Sequence, residues 1–142
     1  MNGRRMDPEI KDVISNIKGL EMLKDMDAKV FADEDGYADI ISRRLVRSKL
    51  KTSQLRKFFG AIRDIEREKE WDKMETQFYL LKPKLANSRG RDLIPEEFYQ
   101  VMKVSMSKVD KGSDEDKVNN FNRMVEFIEA IVAYHKYYDP KS

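Results

Sequence analysis

Arg56, Gly60, Arg63 and Arg67 fall at i, i+4, i+7 and i+11, so a helix through them lines three guanidinium groups and one glycine along one stripe. Leu55, Phe58, Phe59, Ile62 and Ile65 recur on a second, apolar stripe of the same segment. Such a helix buries one face and offers forked, permanently charged donors on another. The glycine lets a partner approach the backbone closely. Arginines in this pattern suit phosphate oxygens spread along a polyanion better than a small substrate.

A second basic cluster follows in LLKPKLANSRGR, residues 80–91, where Lys82, Lys84, Arg89 and Arg91 gather with no acid among them. Lys49, Lys51 and Lys57 add charge around the start of the arginine helix. From Ile40 to Arg91 the chain holds 15 Lys/Arg and 6 Asp/Glu, a net of +9, whereas the remainder is net −7 and the whole chain only +2. A basic middle between acidic ends focuses polyanion binding rather than making the surface uniformly sticky. A bundle that sets residues 80–91 beside one end of the arginine helix merges the two clusters into one patch.

Other chemistry finds little support. The 142 residues include no cysteine and one histidine, which excludes disulfides, thiolate zinc sites and cysteine nucleophiles. His135 has no carboxylate or thiol set beside it in sequence, and reads as a half-buried ring near a helix C-terminus, where its cation is favoured. Asp33-Glu34-Asp35-Gly36 lacks the twelve-residue calcium loop with its terminal glutamate, so it reads as a solvated turn. Neither GxGxxG nor GxxxxGK[ST] occurs. No enzymatic activity, metal or cofactor is expected. No apolar run reaches the length of a membrane span and MNGRRMDPEI has no signal-peptide core, so a soluble cytoplasmic protein with no membrane partner is expected.

The elements that must hold these residues are helical. Asp7-Pro8-Glu9 reads as an N-cap with proline in the first turn, after a loose tail over residues 1–6. Ile10, Val13, Ile14, Ile17, Leu20 and Leu23 continue that helix to about Met26. An acidic turn from Phe31 to Gly36 precedes a helix from Tyr37 to Ser48, and the arginine helix follows over 52–67, capped by Thr52 or Ser53. A fourth helix starts near Trp71, and Pro83 must kink or split it. Residues 87–92 read as a loop with Gly90 as a left-handed stop. Pro95 opens a fifth helix, and Ser113 or Asp114 caps a sixth that ends near Tyr138, where Tyr134, Tyr137 and Tyr138 read as a lid over the core, with base stacking or the anchoring of another protein as alternatives. No period-2 alternation is present, so the expected fold is all-α: one compact bundle of five to six helices in a single domain.

TSQLRKFFGAI at 52–62 and LLKPKLANSRGR at 80–91 together resemble the small helical subunit (the second Csm subunit) of the type III-A CRISPR Csm effector complex. The resemblance covers residues 38–92. One departure is plain: the family commonly places an aromatic after "KLA", where this chain has Asn87-Ser88-Arg89. The resemblance implies a non-catalytic protein of antiviral defence that lines the effector's inner filament. There it contacts crRNA paired to target RNA, other copies of itself, and the backbone and large subunits. It assigns RNA binding to Arg56 and Lys57 from the first motif and to Lys82, Lys84 and Arg91 from the second. Lys49, Lys51, Arg63, Arg67 and Arg89 join them from helical phasing and charge. Two alternatives are a helix-turn-helix DNA-binding protein, with residues 52–67 as the reader, and a helical scaffold that binds acidic proteins. The first is weakened by the broad face already committed to the core and by the lack of Asn/Gln base readers.

Overall fold

A computed structural model describes residues 6–141. Within these the chain forms α1 (Pro8–Lys18), a 3-10 turn (Leu23–Asp25), α2 (Ala28–Ala32), α3 (Tyr37–Leu45), α4 (Thr52–Glu66), α5 (Trp71–Gly90), α6 (Glu96–Ser107) and α7 (Asp114–Tyr138), and no strand. The six longer helices are those expected; α2 is a single extra turn.

α7 is the centre of the packing. It touches α2, α3, α4, α5 and the 3-10 turn, while α6 packs on α1, α3 and α5. Its 25 residues present Phe121, Met124, Phe127, Ile128 and Ile131 to the interior, each fully buried. Ser113 and Asp116 cap its start reciprocally: the Asp116 N–H donates to Ser113 Oγ at 3.1 Å and the Ser113 N–H to Asp116 Oδ2 at 3.0 Å. Gly112 precedes them at φ 82, a left-handed backbone, and a Cβ there would lie 2.4 Å from Asp116 Oδ2.

The first helix ends earlier than its periodicity suggests. α1 stops at Lys18, and Leu20 and Leu23 leave the helical path. Tertiary hydrogen bonds decide this. The Leu23 N–H donates to the Lys108 carbonyl at 3.0 Å, and the Lys24 N–H to Asn120 Oδ1 at 2.8 Å. The Lys24 ammonium reaches Asp116 at 2.5 Å, and its hydrogen bond holds that carboxyl down at about 2. Stability from this pair is therefore present above the ordinary carboxylate value of 3.8 and is lost as pH falls toward 2. The loose tail expected over residues 1–6 lies mostly outside the described residues; Met6 itself is half-buried against the core.

Three other boundaries differ. Phe31 lies in α2, stacked edge-on against Phe127 at 5.7 Å, so the acidic turn is confined to residues 33–36. α3 ends at Leu45 rather than Ser48, because Ser48 Oγ donates to the Leu45 carbonyl and accepts from the Leu50 N–H at 3.1 Å, turning the chain. α5 runs unbroken through Pro83 to Gly90, so the proline does not split it. The left-handed residue that follows is Asp92, φ 59, not Gly90. Arg89 explains the shift: its guanidinium holds Asp92 at 3.2 Å and Glu96 at 2.7 Å, which closes the α5–α6 turn from its side-chain side.

Asn120 is fully buried and ties three segments, donating from Nδ2 to the Val109 carbonyl at 3.0 Å and the Lys111 carbonyl at 3.3 Å while accepting from Lys24. Asn120→Ala leaves those backbone groups without their partner. It is expected to lower stability by about 3 kcal/mol, read as a shift of the urea midpoint at unchanged slope.

Candidate nucleic-acid interface

The orientation of α4 follows from what it buries. Thr52, Leu55, Ile62 and Ile65 are buried, and Phe58 and Phe59 pack half-buried against the core. At about 100° per residue, Arg56, Arg63 and Arg67 then fall together on the exposed flank, with Gly60 beside them. Thr52 or Ser53 was expected as the cap; both instead occupy the first turn, and Lys51 is the N-cap, its N–H received by Gln54 Oε1 at 2.8 Å. The Thr52 hydroxyl points inward and meets His135 Nδ1 at 2.6 Å.

The three arginines are held loosely. Arg63 contacts Glu66 at 3.3 Å and lies 5.6 Å from the Phe59 ring centroid, and Arg67 contacts Asp64 at 3.1 Å. Both pairs lie at the surface, with Glu66 half-buried, and span one helical turn, where such contacts contribute only a few tenths of a kcal/mol. Among the described residues no ion pair involves Arg56.

A groove joins α4 to the end of α5. Its walls are Leu50, Gln54, Lys57 and Phe58 on one side and Leu85, Ser88 and Ile94 on the other. Phe58 and Phe98 close its floor with ring centroids 5.6 Å apart. α4 and α5 thus meet where Lys57, on one helix, faces the segment that carries Lys84 and Arg91, on the other. Lys49, Lys51, Lys84 and Arg91 are exposed and, like Arg56, take part in no ion pair among the described residues. Arg63 and Arg67 lie toward the other end of α4, nearer the start of α5. Lys82 leans over its own helix, with Nζ 4.8 Å from the Tyr79 ring centroid, and faces the α5–α6 groove beside Tyr99 and Lys103.

Arg89 stands apart from the other candidates. Its hydrogen bonds to Glu96 and Asp92 raise its pKa above the ordinary value and leave its side chain 28% exposed. Arg47 is an addition that sequence reading missed. It is exposed on the connection between α3 and α4, beside Lys49 and Lys51, and the signal for it was the basic run from Arg43 to Lys51. Its neighbour Arg44 is bound to Glu97 at 2.8 Å.

His135 differs from its sequence reading. It is fully buried, and burial pushes its pKa down, so the neutral ring is favoured over the cation. It ties the first turn of α4 to the last turns of α7. The tyrosines around it are partly a lid: Tyr134 donates to the Ala32 carbonyl at 2.7 Å and Tyr138 to Asp39, while Tyr137 is 74% exposed. The Asp39 bond pushes the Tyr138 hydroxyl up to about 12.

Fold and surface together define a class: a small all-α protein that presents an exposed basic helix. Among the described residues no cluster of His, Asp or Glu is set to hold a metal, and no helix is long and apolar enough to cross a membrane. A family model described as Csm2 Type III-A matches residues 28–141. The chain belongs to this family, the small structural subunit of the type III-A CRISPR Csm complex, and so associates with other Csm subunits. No curated protein and no solved structure matches it.

The buried, neutral His135 makes stability depend on pH. The unfolded chain takes up a proton near 6.5, and the folded chain resists it. Stability is therefore full above that value and falls as pH drops through it. Thermal melts between about pH 7.5 and about pH 5 should show this decline, and His135→Leu should flatten it.

Proposed function

We propose that the chain is a non-catalytic RNA-binding subunit that holds the backbone of the crRNA–target RNA duplex without sequence preference and supports filament assembly in antiviral defence. The exposed flank of α4 supplies Arg56, Arg63 and Arg67, Lys57 lines the α4–α5 groove, and Lys49, Lys51, Lys84 and Arg91 come from the segments that flank it. Arginines fork onto phosphate oxygens; the lysines act as point charges. Lys82 and Arg89 serve at the edge, the latter chiefly by bracing the α5–α6 turn. Guide pairing carries the sequence specificity, so nothing on this face needs to read a base. No cofactor enters this role. The partners are crRNA and target RNA, the backbone and large Csm subunits, and further copies of the chain, in the cytoplasm.

Gly60 carries the reading. It interrupts a helix among good helix formers, and a Cβ built on it meets nothing within 4 Å. Among the described residues no neighbour requires a glycine there. Glycine in a helix interior costs about 1 kcal/mol relative to alanine. Its position between Arg56 and Arg63 on the exposed flank supports an external reason, the close passage of a sugar–phosphate backbone.

Two measurements test this. Gly60→Ala should raise the melting temperature while weakening RNA binding; a variant that gains stability and loses no affinity removes the argument. Arg56→Ala combined with Arg63→Ala should weaken binding to random single-stranded and duplex RNA by roughly a hundredfold. It should also flatten the slope of log affinity against log salt by about 2. Unchanged affinity and slope would overturn the RNA assignment of α4.

A further inference from the structure

The C-terminal part of α7 leaves one flank uncovered. Ile128, Ile131 and His135 are fully buried. At about 100° per residue Ala130, Ala133 and Tyr137 point to a different side, where Ala133 and Tyr137 are exposed. With Tyr134 they line an open pocket of about 680 Å³, and Glu34 and Asp39 line it from the α2–α3 turn and from α3. That volume lies in the range of ligand pockets and admits a side chain with part of the loop that carries it. Tyr138 braces the Tyr137 ring edge-on, with centroids 5.1 Å apart. Tyr137 is still the most exposed large apolar side chain among the described residues, at 74%. A braced ring left open to water is a surface prepared for contact.

The pocket is negative. Burial raises the pKa of the Tyr134 hydroxyl, and the charges of Asp39, Asp33, Glu34 and Asp35 raise it further, so four carboxylates converge there. Arg43 answers two of them, contacting Asp35 at 3.1 Å and Asp39 at 3.5 Å. Among the described residues Asp33 and Glu34 take part in no ion pair. Asp39 is 4% exposed and is held by the Tyr138 hydroxyl and by the Asp35 N–H, the latter at 2.8 Å. The carboxylates are thus set in place before any partner arrives. An open ring beside unpaired carboxylates repels phosphate and favours a cation. A planar cation suits it best, because a guanidinium stacks on a ring and forks onto a carboxylate at the same time.

We propose that this pocket receives an arginine side chain from a loop of a different Csm subunit. The guanidinium lies on the Tyr137 ring and forks onto Glu34, and the small side chains of Ala130 and Ala133 leave room for the loop behind it. Buried rings and carboxylates of this kind anchor an interface at its centre, where the contact is sheltered from water. The inference rests on the chain's place in the Csm complex and not on the RNA reading. His135, the α7 residue that meets Thr52 of α4, leaves α7 on another side from Ala133 and Tyr137. The pocket and the arginine stripe of α4 are therefore separate surfaces, and one can be altered without the other.

Reconstitution tests it, with the purified full chain added back to a Csm complex prepared without it. Glu34→Gln and Tyr137→Ala should each weaken incorporation roughly tenfold. Tyr137→Phe keeps the ring and should join as the parent does. Both positions are exposed, so thermal melts of the free variants should match the parent, and their RNA affinity should be unchanged. The chain has no cysteine, so Tyr137→Cys accepts a single thiol-directed photo-cross-linker before assembly. Illumination of the complex should join it to an arginine-bearing segment of another Csm subunit. Glu34→Gln and Tyr137→Ala chains that incorporate as well as the parent overturn the proposal. So does a cross-link to RNA, to a second copy of the chain, or to a segment without arginine.

Discussion

The apolar stripe of α4 has one place to go, the flank of α7, and that docking orients the rest of the basic surface. Leu55, Ile62 and Ile65 bury almost completely, each contributing about 1.5–3 kcal/mol relative to exposure. Thr52 fixes the rotation at the N-terminal end by pairing with His135. Once this face is committed, helical geometry leaves no freedom to the guanidinium groups of Arg56, Arg63 and Arg67, which must look outward. The groove to the end of α5 then follows, because Phe58 at the edge of the stripe meets Phe98 at the start of α6, and Leu85 and Ser88 of α5 line the gap beside them.

Local patterning made most of the helices legible, since their apolar positions recur at a clean helical period and several starts carry Asp, Ser or Pro. The misreadings share a cause. Leu20, Leu23 and Met26 keep a helical rhythm, yet the Leu23 N–H is taken by the Lys108 carbonyl and the Lys24 N–H by Asn120, partners from the far half of the chain. Thr52 has the type of a cap but is taken by a buried histidine from the far end of the chain. Periodicity reports neighbours in sequence and is silent about such partners. The candidate site shows the same split. Helical phase alone separates the arginine stripe of α4 from its buried face, but nothing local distinguishes Arg89, locked across a turn, from Arg91 two residues on, which takes part in no ion pair among the described residues.

Charge in this molecule does two different jobs. Asp116, Lys24, Arg44, Glu97, Arg89 and Glu96 join elements to one another through partly buried pairs. The exposed lysines and arginines around α4 and the end of α5 join nothing inside the molecule, or only residues on their own helical turn. A formal charge count of +2 conceals this division, because the bridging pairs cancel while the unbridged cations cluster.

The central place of α7 has a bearing on how the chain comes into being. α2, α3, α4 and α5 all rest on a helix that is synthesised after them. At ordinary translation rates α3 is synthesised about 5–20 s before residue 138 is added. Throughout that interval the greasy sides of the earlier helices have no scaffold to lie on, and a nascent chain in that state is a natural client for chaperones that shield apolar surface.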